Sequence, residues 1–318
     1  MRKRSGNIRM ALLLSVLFLC VLCLCKGRKT ADIVQAAQGT GKTVDTKQTV
    51  GTEQTVDTEQ MTETEQTAAG KAVLKGIRDS GVIKVGTAGD YLPMSYLDPE
   101  TDTYVGFDAE LAEDLAAYLG VNIEYVKTSW PTLMEDTLAG KFDLAICGIT
   151  ITDARKEQAL MSDGYLGNGK TVLCRIEDAD RFTSLEAINR PDVRVMENPG
   201  GLNEKFAREN LPDADLIIHD VNQEIPGLIA SGEADVMITE IMEAGYYVGQ
   251  DKRLAAPLIH EPFTHGELGV LMPKGSEDLL ACVNEFLEEE KKSGRIDELA
   301  DKYIYNSKQN TTSTEAAA

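Results

Sequence analysis

Four short stretches set reactive side chains directly after apolar runs. In residues 195–210, VMENPGGLNEKFAREN, Gly200 and Gly201 precede Asn203 and Glu204. Paired glycines let the backbone approach a small molecule closely. A carboxylate on the next helical turn could then give a proton to whatever they hold. The competing reading is that Glu204 only complements the helix dipole, as acids in first turns do. In residues 149–159, ITITDARKEQA, Thr150, Thr152 and Arg155 gather at a helix start. Free N–H groups, a hydroxyl and a forked guanidinium make a carboxylate site; the alternative is a surface arginine on a helix flank. The run ADVMITE ends on Glu240, which could receive an ammonium group or cap the helix EIMEAGYYV. In GDYLPMSY, Tyr91 could face a ligand or pack a lobe edge. A dinucleotide-binding G-x-G-x-x-G after a strand and a nucleophile elbow do not occur in the sequence.

The elements that must hold these residues alternate between strand and helix over residues 73–305. VIKVGTA, NIEYV, FDLAICGI, VRVME, DLIIHD and DVMIT read as strands, most of them buried. Phe107, Leu111, Leu115 and Leu119 recur every four residues, with Asp108 as the expected N-cap and Gly120 as the stop. A second helix runs through Leu133 and Leu138 to Gly140, and Ser276 is expected to cap another that carries Leu279, Val283, Phe286 and Leu287. Repeated β-α-β units predict an α/β fold with mainly parallel sheets. Ligands then bind at the carboxyl ends of strands, where all four stretches lie.

The chain carries 32 Lys and Arg against 52 Asp and Glu, a net charge of −20. An acidic body repels nucleic acid and anionic lipid, so neither is expected as a partner, and an anionic ligand needs a local cation. Basic residues 1–9 followed by the apolar run MALLLSVLFLCVLCLC predict an export signal or membrane anchor over 1–29. Lipidation at Cys23 or Cys25, an uncleaved anchor and ordinary cleavage all place the body outside the cytoplasmic membrane, with membrane contact only through this segment. A hexapeptide repeat of the TVDTEQ type within residues 30–71 is too polar to build a core and predicts a disordered tether, spanning roughly 30 Å as a flexible coil. The tail 306–318 is expected to be disordered too. Cys147, Cys174 and Cys282 read as small core residues. Neither they nor the scattered histidines His219, His260 and His265 have metal-ligand spacing, so no metal and no cofactor is expected.

GFDAELAEDLAAYLG, WPTLMEDTLAGKFD, GITITDARKEQALMSDGY and ADVMITE resemble the amino-acid-binding branch of the type II periplasmic binding-protein superfamily, across nearly all of residues 73–305. The resemblance implies two α/β lobes on a hinge that close over a ligand. The lobes are expected at 72–164 plus 258–305 and at 165–257. It also implies that Arg155, with Thr150, holds a ligand carboxylate and that Glu240 takes an ammonium. More narrowly, GDYLPMSY, VKTSWPTLMED, YLGNGKTVLCR, NPGGLNEKFAREN and EPFTHGELGVLMP resemble cyclohexadienyl dehydratases, which convert prephenate to phenylpyruvate or arogenate to phenylalanine. That likeness implies Glu204 as the proton donor. Tyr91, Trp130, Lys170, Gly201, Asn203 and Glu267 would then line the substrate site. Because a helix N-terminus favours ionised glutamate, lobe closure would have to raise the Glu204 pKa by expelling water. Where that family tends to have a lysine beside the position of Glu267, this chain has Leu268. The alternative function is a tethered amino-acid-binding protein that delivers its ligand to an ABC permease.

Overall fold

The computed structural model describes residues 72–305. The expected export signal (1–29), tether (30–71) and tail (306–318) lie outside the described residues. Two five-stranded sheets form the cores of two lobes. In the first, strands Asn122–Lys127, Val82–Thr87, Leu144–Ala145, Leu271–Met272 and Leu160–Met161 lie side by side in that order. In the second the order is Asp215–Ile218, Arg194–Glu197, Val236–Glu240, Lys170–Arg175, Leu254–Ala255.

Each sheet is parallel on one side and antiparallel on the other. Val82–Thr87 runs parallel to both of its neighbours, while Leu271–Met272 runs antiparallel to both of its own. Likewise Arg194–Glu197 has parallel neighbours, and Lys170–Arg175 pairs antiparallel with Val236–Glu240 and Leu254–Ala255. The expectation of mainly parallel sheets therefore holds for half of each. The antiparallel strands enter where the chain passes between lobes, without the helical crossover that a parallel neighbour requires. The two passages, Leu166–Asn168 and Gly266–Leu268, pair with each other as a short antiparallel ribbon, the hinge. Leu258 and Phe263 pack against the second core, so the chain leaves that lobe at this ribbon, later than the expected 257/258 boundary.

The helix Phe107–Leu119 buries Phe107, Leu111, Leu115 and Leu119 on one face against the first sheet, as four-residue spacing demands. Gly120 ends it in a left-handed conformation (φ 74°). Its N-cap is Gly106 rather than Asp108. Asp108 is buried and accepts hydrogen bonds from the Tyr165 hydroxyl (2.8 Å) and the Gly148 N–H. Ser276 occupies the N-cap of Glu277–Ser293, but its side chain makes no capping bond. Leu279, Val283, Phe286 and Leu287 of that helix are buried in the first core, and Cys147, Cys174 and Cys282 are all buried free thiols.

Candidate active site

The carboxyl ends of the strands converge on a small cavity. Arg155 supplies its cation. Thr152 caps the short helix Asp153–Gln158 by accepting the Arg155 backbone N–H (3.3 Å), which turns the arginine side chain inward. The residue is 9% exposed and its Nη1 donates to the Thr150 carbonyl at 2.6 Å. Among the described residues no carboxylate pairs with it. Burial pulls its pKa down, but an arginine keeps its charge. A buried, unpaired guanidinium is a standing demand for an anion.

Tyr91 and Trp130 meet edge to face, with centroids 5.9 Å apart, and form an aromatic wall. Trp130 Nε1 donates to Asp90 Oδ1 (3.0 Å). Gly148 closes the wall from behind in a left-handed conformation (φ 75°), where a Cβ would come within 2.2 Å of the Tyr91 ring. Gly201 and Asn203, at the start of the helix Leu202–Asn210, line the opposite side. Of the two glycines there, only Gly200 has a positive φ (80°), and a Cβ on it would press on Pro131.

Glu240 ends its strand and occupies the N-cap position of the helix Ile241–Gln250, yet its side chain makes no capping bond. Its Oε1 accepts from Lys170 Nζ; its Oε2 accepts from the Tyr91 hydroxyl (3.1 Å) and Asn203 Nδ2 (3.3 Å). Burial alone would raise its pKa, but Lys170 and these donors outweigh it and the net shift is downward, so Glu240 is ionised. Lys170 itself does not line the Arg155 cavity. It faces an adjoining opening with Lys205 and His265.

Glu204, expected as the proton donor, does not line the cavity that holds Glu240. It faces a third opening with Lys205 and Arg208, which Arg155, Trp130 and Gly201 also line. Its Oε2 accepts the Gly200 N–H (2.6 Å) and its Oε1 accepts Arg208 Nε (2.8 Å) one helical turn on. These bonds push its pKa down, led by the Gly200 N–H. An ionised carboxylate has no proton to give, and Glu204 braces a helix start. Glu267 is exposed on the hinge ribbon, away from the cavity, and Leu268 beside it is fully buried in the first core.

The cavity does contain a neutral acid that sequence reasoning passed over. Glu243, one turn beyond Glu240, lines it with 0% exposure. Burial pushes its pKa up to about 8, and the nearby Glu240 charge adds to the shift. Thr239 Oγ1 contacts Oε2, and Asn222 Nδ2 donates to Oε1 at 2.9 Å. The same Asn222 amide donates to the Asp90 carbonyl at 3.2 Å, across the cleft between lobes. A carbonyl can only accept, which fixes the amide's orientation, and the buried Asn222 Oδ1 is left without a partner. The signal available in the sequence was the pair of acids three residues apart at a strand end, TEIME. The cavity thus combines a free cation, an aromatic wall, a compensated ion pair and a carboxylic acid that holds its proton at neutral pH. That set can bind an anion and protonate a leaving group.

Residues 83–306 match the family described as bacterial extracellular solute-binding proteins, family 3. The chain is 40% identical to the cyclohexadienyl dehydratase of Pseudomonas aeruginosa over 220 residues, 69% of this chain and 81% of that protein. It is 27% identical to the L-cystine-binding protein TcyJ of Escherichia coli over 74% of this chain and 87% of that one. The crystal structure of the ancestral amino acid-binding protein AncCDT-1, a precursor of cyclohexadienyl dehydratase, aligns at a TM-score of 0.68 and 38% identity, covering 73% of this chain and 99% of that one. With its two-lobed α/β fold and this match over most of its length, the chain belongs to family 3 of the bacterial extracellular solute-binding proteins.

Proposed function

We propose that the protein is an extracytoplasmic cyclohexadienyl dehydratase, held outside the cell membrane by its basic-then-apolar N-terminus. The observation that carries this reading is the neutral Glu243 in the same cavity as the unpaired Arg155. A protein that only captured an amino acid would have no use for a buried proton donor. The 40% identity to a dehydratase supports the reading independently.

In the proposed reaction Arg155 and Thr150 hold the side-chain carboxylate of prephenate, while Tyr91 and Trp130 flank the ring. Glu243 gives its proton to the ring hydroxyl, which leaves as water. The bond to the ring carboxyl breaks, carbon dioxide departs, and that electron pair completes the aromatic ring of phenylpyruvate. One proton is consumed per turnover, so Glu243 must regain one from solvent before the next. Because aromatisation drives the reaction, orientation and one placed proton are the tasks left to the protein. The acid is worth ~10²–10⁴-fold. Asn203 and Glu240 form the floor behind the ring, and Lys170 holds Glu240 from outside the cavity. Incubation of the purified protein with prephenate should release phenylpyruvate; no release at any enzyme concentration would reduce the protein to a capture device serving an ABC permease, the second reading that its solute-binding relatives favour.

A further inference from the structure

Antiparallel register sets Glu240 directly opposite Lys170, so the sheet itself builds their ion pair. Both side chains are 8% exposed. Lys170 Nζ contacts Glu240 Oε1 and Asn203 Oδ1, and the other Glu240 oxygen is held by Tyr91 and Asn203. Glu240 faces the ligand cavity and Lys170 stands behind it, toward the adjoining opening. The ionised carboxylate that a ligand meets is therefore already compensated from within. The other cavity-facing glutamate, Glu243, is neutral at pH 7. Among the described residues lining this cavity, the one uncompensated charge is the Arg155 cation. A ligand amine would find no free anion here, because Glu240 is already held by Lys170.

We propose that Lys170 is a specificity residue: it supplies from inside the protein the cation that Glu240 would otherwise take from a ligand, so the site selects cyclohexadienyl acids with a 2-oxo side chain over those with a 2-amino side chain. The proposal rests on the dehydratase reading for its substrates, but the selectivity can be read without turnover. Burying an ammonium without a free partner charge is strongly disfavoured, which sets an expected preference of at least about tenfold.

The test compares wild type, Lys170→Arg and Lys170→Met at pH 7. Two quantities are measured: kcat/KM for prephenate and for arogenate, and calorimetric Kd for phenylpyruvate and for L-phenylalanine, which differ only at the 2-position. Wild type should prefer the oxo member of each pair by at least about tenfold, Lys170→Arg should keep that ratio within about threefold, and Lys170→Met should cut it by about tenfold or more as Glu240 accepts the amine. A wild-type ratio near one overturns the proposal. So does an unchanged ratio in Lys170→Met, even if both rates fall together, since that is what a purely structural lysine would give. Should Lys170→Met fail to fold, Glu240→Gln leaves the Lys170 ammonium uncompensated and should widen the preference for the oxo ligand; a narrowing overturns the proposal. Absence of turnover with both substrates sinks the dehydratase reading alone, and the calorimetric pair then decides selectivity. Failure of wild type to bind either calorimetric ligand overturns the selectivity proposal as well.

Discussion

Replacing Glu243 by Gln removes one proton and little else. The amide oxygen can still accept from Asn222 Nδ2 and the amide nitrogen can face Thr239, so both contacts survive. With a pKa of about 8, roughly nine-tenths of Glu243 carries its proton at pH 7. A positioned general acid contributes ~10²–10⁴-fold, roughly 3–5 kcal/mol of barrier, and kcat should fall by that factor while ligand binding persists. In the wild type, activity should decline as pH rises through about 8, where the donor ionises. Stability gives an independent reading. The folded pKa lies above the ordinary 4.5, so folding favours the protonated form. The associated stabilisation is complete below pH 4.5 and is lost as pH climbs to about 8. At ~1.4 kcal/mol per pH unit the loss is on the order of 4 kcal/mol. The Gln variant escapes it, so at pH 8 it should melt several degrees above wild type while being nearly inactive. The assays are phenylpyruvate release and thermal melts across pH 4–9. Turnover within about threefold of wild type, or a Gln variant whose melting temperature tracks that of wild type at every pH, would refute the role given to Glu243.

Arg155→Met should lower kcat/KM by about 10–100-fold, the worth of one charge-assisted hydrogen bond to a carboxylate, with most of the loss in KM; titration calorimetry with phenylpyruvate checks it. Glu204→Gln should cost no more than about 1 kcal/mol in chemical denaturation and leave turnover within about threefold, because Glu204 only braces a helix start. Gly148→Ala forces a side chain into a left-handed residue and against the Tyr91 ring, and should weaken phenylpyruvate binding by more than about tenfold.

The parts of this protein that repeat were legible in the sequence. Phe107, Leu111, Leu115 and Leu119 announce a buried helix face because burial and period coincide there. Arg155 could be found because hydroxyls and a guanidinium at a strand end have few other uses. For the proposed proton donor the sequence offered only the paired acids of TEIME. Glu204 and Glu243 are both acids in a helical first turn, and sequence ranks them equally. What separates them is solvent and partners. Glu204 is bound by Gly200 and by Arg208 four residues on, a pairing the sequence does offer. Glu243 is neutral because of complete burial and the proximity of Glu240, and its partner Asn222 lies 21 residues away. Burial of a charged residue type is a property of the assembled lobes, and no local pattern encodes it. The antiparallel half of each sheet escaped for a similar reason: the returning strand Leu271–Met272 is fixed by a passage between lobes, far from its neighbours in sequence.

The Asn222 amide bridges Glu243 and the Asp90 carbonyl, which stand on opposite jaws of the molecule. When the jaws part, that bridge breaks and water reaches the glutamate, whose affinity for protons then drops toward that of any wetted carboxyl. The spent residue therefore meets bulk water at the moment product escapes, and it is recharged as the next molecule is enclosed. Proton uptake should accordingly keep step with the closing stroke, making a pH indicator in weak buffer a direct reporter of jaw movement.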